Sequence, residues 1–565
     1  MAPGLHTPGR NHEAPAITKA PVQASPFLVA LIIATVLRVT VAALLPLTLN
    51  EPYYWEWARH PSLGYYDHPP LTAWLGTLFV PLGNSALVVR LPALLCATAC
   101  ALIVHRYARR ATGDEQAAHW AAAAFVTAPY YTITAVLAWP ESTLLLTWAW
   151  TLLAWHEAVF APPDASPARR WGHAGVALGA CLLAKFTSFA LAFGLGLFFV
   201  VTPRARRRWL ATPWPWTALV IALLVYSPFL WWNATHGWQT FAFQATERTH
   251  ETVHINLRQA LNFVLETLGG LSPLIAVALV AATARAARDA FAPRADAAPE
   301  SVAASAPPAR DAQATSASAP DPEATRLALA ASLPVLCAFF ALVPFRNVQV
   351  YWTLCGYIGL FPLLGQWVAQ RMATEDPRQW RRRIGWAVGI AVAPLLVATA
   401  GLAAPHILFG LGGRPQGSAL TEMYAYPALP ALLESELSAL PSPQTAFLAA
   451  EDHRLASHLS LLQARPVLMF GLGRRGLEYL NWESPEAMRG QSGLLVMRKP
   501  FDDGRQGLRE RLSAAFDRVG DARPLPVEWN GRVAQTFWIV PCVGFHPERA
   551  QALIDPRAGT LTDTP

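Results

Sequence analysis

Residues 171–202 read WGHAGVALGACLLAKFTSFALAFGLGLFFVVT, with Ala168-Arg169-Arg170 before them and Arg204-Ala205-Arg206-Arg207-Arg208 after them. Both flanks are basic, and basic flanks stay on the cytoplasmic side of a bilayer. A single span cannot have both ends on one side. A run of roughly thirty apolar residues can instead be two short helices that rise and return. The turn then falls near Lys185-Phe186-Thr187-Ser188 and leaves Lys185 at or below the outer surface, inside protein.

Working outward, apolar runs long enough to span lie at 26–48, 86–107, 115–138, 142–158, 214–232, 258–283, 326–344, 350–371 and 384–409. With the hairpin counted twice they give about eleven spans. The amino terminus is then cytoplasmic and the carboxyl terminus outside. Arg106, Arg109, Arg110 and Arg381 to Arg383 all fall on the cytoplasmic side, as the charge rule requires. The composition agrees. The 565 residues are 53% hydrophobic and only 14% charged, and a net charge of +7 sits in short Arg clusters between apolar runs. This pattern suits a membrane and excludes a nucleic-acid footprint. Many of the 22 Trp crowd the ends of the runs, as interfacial belts do. Five of the six Cys lie inside apolar runs and read as packing residues.

The first 25 residues form a polar cytoplasmic tail, and residues 26–409 the transmembrane domain. Residues 284–325, rich in Ala, Pro, Ser and Asp, read as a disordered cytoplasmic linker. From 410 to 565 the pattern changes. Strand-like runs at 445–449, 466–470, 493–497 and 535–540 alternate with helical ones at 454–463 and 507–518. The expected architecture is an all-α polytopic membrane domain followed by a small extracytoplasmic α/β domain.

With this topology the unusual polar residues gather on the outer face. The first outer loop reads Leu49-Asn50-Glu51-Pro52-Tyr53-Tyr54-Trp55-Glu56-Trp57-Ala58-Arg59-His60 and then Gly64-Tyr65-Tyr66-Asp67-His68-Pro69-Pro70. Rings that stack on a sugar's apolar face, beside carboxylates and imidazoles that meet its hydroxyls, suit a carbohydrate ligand. An interfacial aromatic belt with solvated charges is the plainer reading of the Tyr and Trp alone. Lys185 in an apolar hairpin needs a counter-charge, for which a phosphate is suited. Arg90 and Arg346 at outer span ends share that role or act as snorkelling anchors. Glu141, in a tight turn after Trp139-Pro140, is placed to bind an acceptor or a divalent ion, or to sit as a helix N-terminal carboxylate. Arg38, deep in the first span, reads as a structural or gating pair. Residues 233–256, with Asn233, His236, Gln244, His250 and His254, are long enough to form a lid.

These motifs resemble a known family. The first-loop stretch, Arg90-Leu91-Pro92, Trp139-Pro140-Glu141-Ser142, the 175–185 segment and Ser227-Pro228-Phe229-Leu230-Trp231-Trp232-Asn233 with His236-Gly237-Trp238 occur in the order seen in the bacterial family-39-like GT-C glycosyltransferases. That group contains the aminoarabinose transferases and is related to the protein O-mannosyltransferases. The resemblance implies a polyprenyl-phosphate sugar as donor and a lipid, glycan or protein acceptor outside the cytoplasmic membrane of a bacterium. It leaves the sugar and any metal open. Where family members commonly carry Asp-Glu, this chain has Asn50-Glu51, so the usual base is absent. Glu51 is the first candidate for that role and Asp67 the second. Asn50, Tyr53, Tyr54, Trp55, Tyr66, His68, Glu141, Asn233 and His236 are expected to line the substrate site. Two other functions fit a polytopic chain: a lipid or glycan flippase, which predicts an internal repeat not found here, and a non-catalytic envelope scaffold.

Overall fold

The computed structural model describes residues 25–160, 162, 166–247, 255–292, 321–405, 418–463, 465–470, 475–501 and 507–554. The chain begins with α1 (Pro26–Leu44), capped by the Ser25 hydroxyl, and a first loop that carries α2 (Glu51–Arg59) and α3 (Leu71–Thr77). There follow α4 (Ala86–Thr112), α5 (Glu115–Thr127), α6 (Pro129–Val136), α7 (Pro140–Val159), α8 (Pro167–Ala184), α9 (Ser188–Val201), α10 (Pro203–Trp209), α11 (Trp214–Thr235) and α12 (Gln239–Ala242). The membrane part closes with α13 (Leu257–Leu271), α14 (Pro273–Phe291), α15 (Pro322–Leu342), α16 (Leu354–Tyr357), α17 (Phe361–Thr374) and α18 (Pro377–Ala403). Proline stands in the first two positions of many of these helices, where its missing N–H has no intrahelical acceptor to lose.

The hairpin expected at 171–202 resolves into two helices, α8 and α9, separated at Lys185 to Thr187. Other runs are less regular than expected. The run 115–138 breaks at Ala128, which is extended ahead of Pro129, giving α5 and α6. Arg38 donates to the Val126 carbonyl and the Thr132 hydroxyl at that break, so it serves backbone groups the broken helix leaves over. The run 258–283 turns by 96° between α13 and α14, at Ser272-Pro273. The run 350–371 passes through short turns and α16 before α17. Five described helices are long and apolar enough to span alone, or seven if each bent pair is one span. That is fewer than the about eleven expected from apolar length, and much of the shortfall lies in these broken runs. The ends of the expected linker are also helical, since α14 reaches Phe291 and α15 starts at Pro322. Residues 293–320 lie outside the described residues.

The membrane core is built from α4, α5, α7, α8, α11, α15 and α17. Where α8 crosses α11, Gly175 and Gly179 bring the backbones together. A Cβ on Gly175 would meet the Ala218 carbonyl at 2.5 Å. Small residues four apart allow this approach between apolar helices.

At one end of the bundle the Arg-rich termini converge. Arg106 reaches the Glu157 carboxylate at 2.8 Å and Arg170 the Glu157 carbonyl at 3.0 Å, which joins the ends of α4, α7 and α8. After residue 418, helices surround a six-stranded sheet in the order β2-β1-β3-β6-β4, with β5 also on β6. The strands are β1 (Phe447–Ala450), β2 (Val467–Met469), β3 (Gly493–Met497), β4 (Phe516–Val519), β5 (Arg523–Trp529) and β6 (Arg532–Phe545). β1 is parallel to both β2 and β3, while β6 runs antiparallel to β3, β4 and β5. The hydrophobic side chains on the two faces of this sheet form two clusters, and one of them includes Tyr53, Trp57 and Tyr65 from the first loop. The sheet unit is thereby packed onto that loop.

Candidate functional site

The first loop is an aromatic cage before it is anything else. Trp57 stacks on Tyr65 at 4.7 Å and stands edge-on to Tyr53 and Tyr54, while Tyr53 also stands edge-on to His453. The Tyr65 hydroxyl donates toward the Trp57 and His60 carbonyls. The Trp55 indole donates to Asn84 at 2.9 Å. These rings shape and fix the loop, and the polar groups sit between them.

Glu51 occupies a setting different from the one expected. It is fully buried, and Arg90 grips it with a two-pronged contact, Nε to Oε1 at 2.8 Å and Nη2 to Oε2 at 2.6 Å. The backbone N–H groups of Thr48 and Ala138 donate to the same two oxygens. The remaining Arg90 donors go to the carbonyls of Ala42, Leu45 and Pro46. All five guanidinium N–H groups are thus used inside the protein. Burial pushes the Glu51 carboxyl up, but Arg90 and the two backbone donors outweigh it and hold the group below its ordinary value. Glu51, the first candidate for the base, and Arg90, a candidate for the donor phosphate, are each other's partners. Together they tie the end of α1, the start of α2, α4 and the turn before α7.

Asp67 is buried at 2% exposure. The Tyr53 hydroxyl donates to its Oδ1 at 3.3 Å and Arg475 Nε to its Oδ2 at 2.8 Å. Its backbone carbonyl accepts from Gln244 at 2.8 Å, so the segment after α11 does lie against the first loop. His68 is buried beside it with the rings of Tyr54 and Trp57 about it. Glu141, at the start of α7, pairs with Lys185, which ends α8 in an extended conformation and faces the Trp352 ring at 5.8 Å. Both side chains of the pair are buried. Burial first, then the charges of Asp67 and Glu141, raise the Tyr54 phenol well above the ordinary value. The Thr72 hydroxyl donates to the Thr143 hydroxyl at 3.2 Å, which joins the start of α3, just after Asp67, to the start of α7, which carries Glu141.

Asn233 and His236, expected to line the site, and Arg346, expected at the donor phosphate, lie as follows. Asn233 donates to the Phe229 carbonyl and accepts from the Thr240 N–H, closing the turn after α11. His236 stacks on Trp232 at 4.2 Å. Arg346 lies between α15 and Val350, where its carbonyl accepts from the Gln259 side chain. His250 and His254 lie outside the described residues.

The sheet unit supplies residues that sequence reasoning missed. Arg454 donates to Asn50 at 3.0 Å, and Glu478 accepts the Tyr66 N–H at 2.5 Å. Arg475 holds Asp67 and faces Phe243 at 5.3 Å. Burial, and then Asp67, raise Glu478 to about 8, so near neutral pH it is largely protonated and adds little negative charge beside Asp67. A lone arginine some 400 residues away has no sequence signal that ties it to Asp67. Glu451 and Asp452 anchor Arg498, and Asp452 caps the helix His453–Leu462.

The dolichyl-phosphate-mannose-protein mannosyltransferase family (PMT_2) matches residues 67–232, from Asp67 to the end of the α11 motif. The lipid A galacturonosyltransferase RgtD of Rhizobium johnstonii is 28% identical over 242 residues. The match covers 42% of this chain and about half, 49%, of that protein. Among solved structures, ArnT of Cupriavidus metallidurans bound to undecaprenyl phosphate superposes with a TM-score of 0.59 at 17% identity, over 92% of this chain and 98% of ArnT. Its apo state gives 0.58 at 16% identity, over 91% and 97%. That likeness shows a common fold over nine-tenths of this chain. By its sequence match over residues 67–232 and by its fold, the chain resembles the GT-C membrane glycosyltransferases and is similar to the aminoarabinose transferases and protein O-mannosyltransferases.

Proposed function

We propose that the chain is a multi-pass glycosyltransferase of the bacterial inner membrane. It moves a sugar from a polyprenyl-phosphate donor to an acceptor on the outer face, where the sheet unit also lies. The observation that carries this reading is the burial of Asp67 and of the Glu141–Lys185 pair where the starts of α3 and α7 meet, in a chain whose Arg-rich ends gather elsewhere. Displacement at an anomeric carbon needs a carboxylate to take the acceptor's proton and a cation to hold the departing phosphate. Asp67 is assigned the first role and Lys185 the second. Glu141 holds Lys185 in place and competes with a phosphate for it. Glu51 and Arg90 are assigned the framework. The likeness to a structure with undecaprenyl phosphate supports the donor class, and the likeness to a lipid A galacturonosyltransferase supports a lipid A-type glycolipid over a glycan or protein as acceptor. The direct test is sugar transfer by membranes that contain the protein, with mass spectrometry of envelope lipids from cells with and without the gene. Unchanged lipids and glycans would count against the reading.

Two further results are expected. Impermeant single-Cys labelling should reach positions near 50, 141, 185, 240 and 450 from outside, or through a cavity open to it, and 110, 168, 206, 300 and 380 only after permeabilisation. Outside labelling at 300 would invert the face on which the site lies. Lys185→Ala alone leaves Glu141 buried without its partner, at a cost of about 3–5 kcal/mol. The double change Lys185→Met with Glu141→Gln removes that penalty. It should give an inserted, monodisperse protein with donor use reduced to background, and near-normal donor affinity in the double variant would reduce the pair to packing.

A further inference from the structure

At the junction of α1, α4 and α5, two imidazoles and a carboxylate converge. His105 Nε2 lies 2.9 Å from His119 Nδ1, and Glu115 Oε1 lies 3.4 Å from His105 Nε2. One donor atom from each of the three residues falls within 4.8 Å of the others. Glu115 and His119 are four apart on the first turns of α5, so they share a face. His105 comes to that face from the last turns of α4. The arrangement is held from behind. The Phe27 ring stacks on His105 at 4.9 Å and 10°, and the Ser25 hydroxyl lies 3.2 Å from His119 Nδ1. Arg109 approaches Glu115 at 3.7 Å as an exposed pair of small energetic weight.

We propose that His105, Glu115 and His119 form a Zn2+ site on the face opposite the sugar-transfer site. The two side-chain nitrogens that now share one hydrogen bond would both turn their lone pairs to the metal. Two imidazoles and one carboxylate are donors suited to Zn2+ and unsuited to Mg2+ or Ca2+, which take oxygen ligands. Three protein ligands leave a fourth position for water, or for the Ser25 side that already borders the site. The consequence is mechanical: the metal fastens the start of α1 to the α4–α5 turn.

The test uses the full chain, purified in detergent, stripped with a chelator and then titrated with Zn2+, with Mg2+ as the control metal. The site predicts one retained equivalent of Zn2+ that is lost in His119→Ala and in His105→Phe, or weakened by more than the roughly 10–100-fold that losing an outer-shell partner costs. Co2+ in place of Zn2+ should show the visible absorption of a four-coordinate ion in the wild type and not in these variants. Glu115→Gln changes an exposed residue and keeps the fold. It decides the matter if either His variant does not come out monodisperse, and should weaken binding in the same sense. Failure to retain Zn2+ in the wild type, or equal retention by wild type and all folded variants, overturns the proposal. The metal readout does not depend on whether sugar transfer is detected.

Discussion

Glu51→Gln is expected to yield little folded protein. The amide keeps the shape of the carboxylate, but Arg90 remains buried with a full charge and no counter-charge. One amide group must also present N–H bonds toward donors that now point at a carboxylate oxygen, from Arg90 and from either Thr48 or Ala138. Removing one member of a buried ion pair costs about 3–5 kcal/mol, a large share of the roughly 5–15 kcal/mol that holds a typical domain together. The reading is detergent-extracted yield, size-exclusion profile and thermal transition. The paired change Glu51→Leu with Arg90→Met removes both charges but leaves the carbonyls of Ala42, Leu45 and Pro46 and the N–H groups of Thr48 and Ala138 without these partners, so it should recover only part of the folded yield, and the fraction that folds should transfer sugar. A Glu51→Gln protein that folds normally and transfers no sugar would return the proton-accepting role to Glu51. The pH dependence has a definite sign. The depressed carboxyl contributes its stability in full above its unfolded value of about 4.3, and that contribution is lost as pH falls through the lower folded value.

Asp67→Asn is expected to lower turnover by about 10²–10⁴-fold while the fold survives. Asparagine keeps an oxygen for the Tyr53 hydroxyl or for Arg475; it loses the capacity to accept a proton and the charge that pairs with Arg475, whose side chain is 31% exposed and, unlike that of Arg90, can turn to water. Arg475→Met probes the same assignment from the other side. With the neighbouring cation removed, the Asp67 carboxyl titrates higher, and the acidic limb of the pH–rate profile should move upward with it. A merely structural arginine would lower yield without moving that limb. Full activity in Asp67→Asn would pass the role to Glu141.

The helical character of the chain was legible because a run of apolar residues has no other use at that length. Its interruptions were less so. Pro129 and Pro273 mark two of them, yet proline also stands inside α4, α11, α15 and α18 without ending them. In the sheet, β1, β2, β3 and β6 were read from their β-branched and apolar runs. β5 was missed because Pro524 and Pro526 argue against a strand, and the structure pairs it with β6 alone, an edge where missing N–H groups are tolerated. β4 was missed because Phe516 to Arg518 continue the helical pattern of the residues before them.

At the site, the concentration of chemistry in the first loop was visible. The division of labour within it was not. Burial decides whether a carboxylate pairs or reacts, and burial depends on contacts such as Glu51 with Arg90, 39 residues apart, or Asp67 with Arg475, 408 apart. No local pattern encodes those distances.

The contacts of Arg454, Arg475 and Glu478 with Asn50, Asp67 and Tyr66 constrain how this protein can be recombined. A chimera that joins these helices to the sheet unit of a distant relative would surround Asp67 with a foreign set of charges, even if every helix inserted correctly. Loop and sheet unit are therefore expected to be exchangeable only together, as one cassette, and a graft of either half alone should insert in the membrane and remain silent.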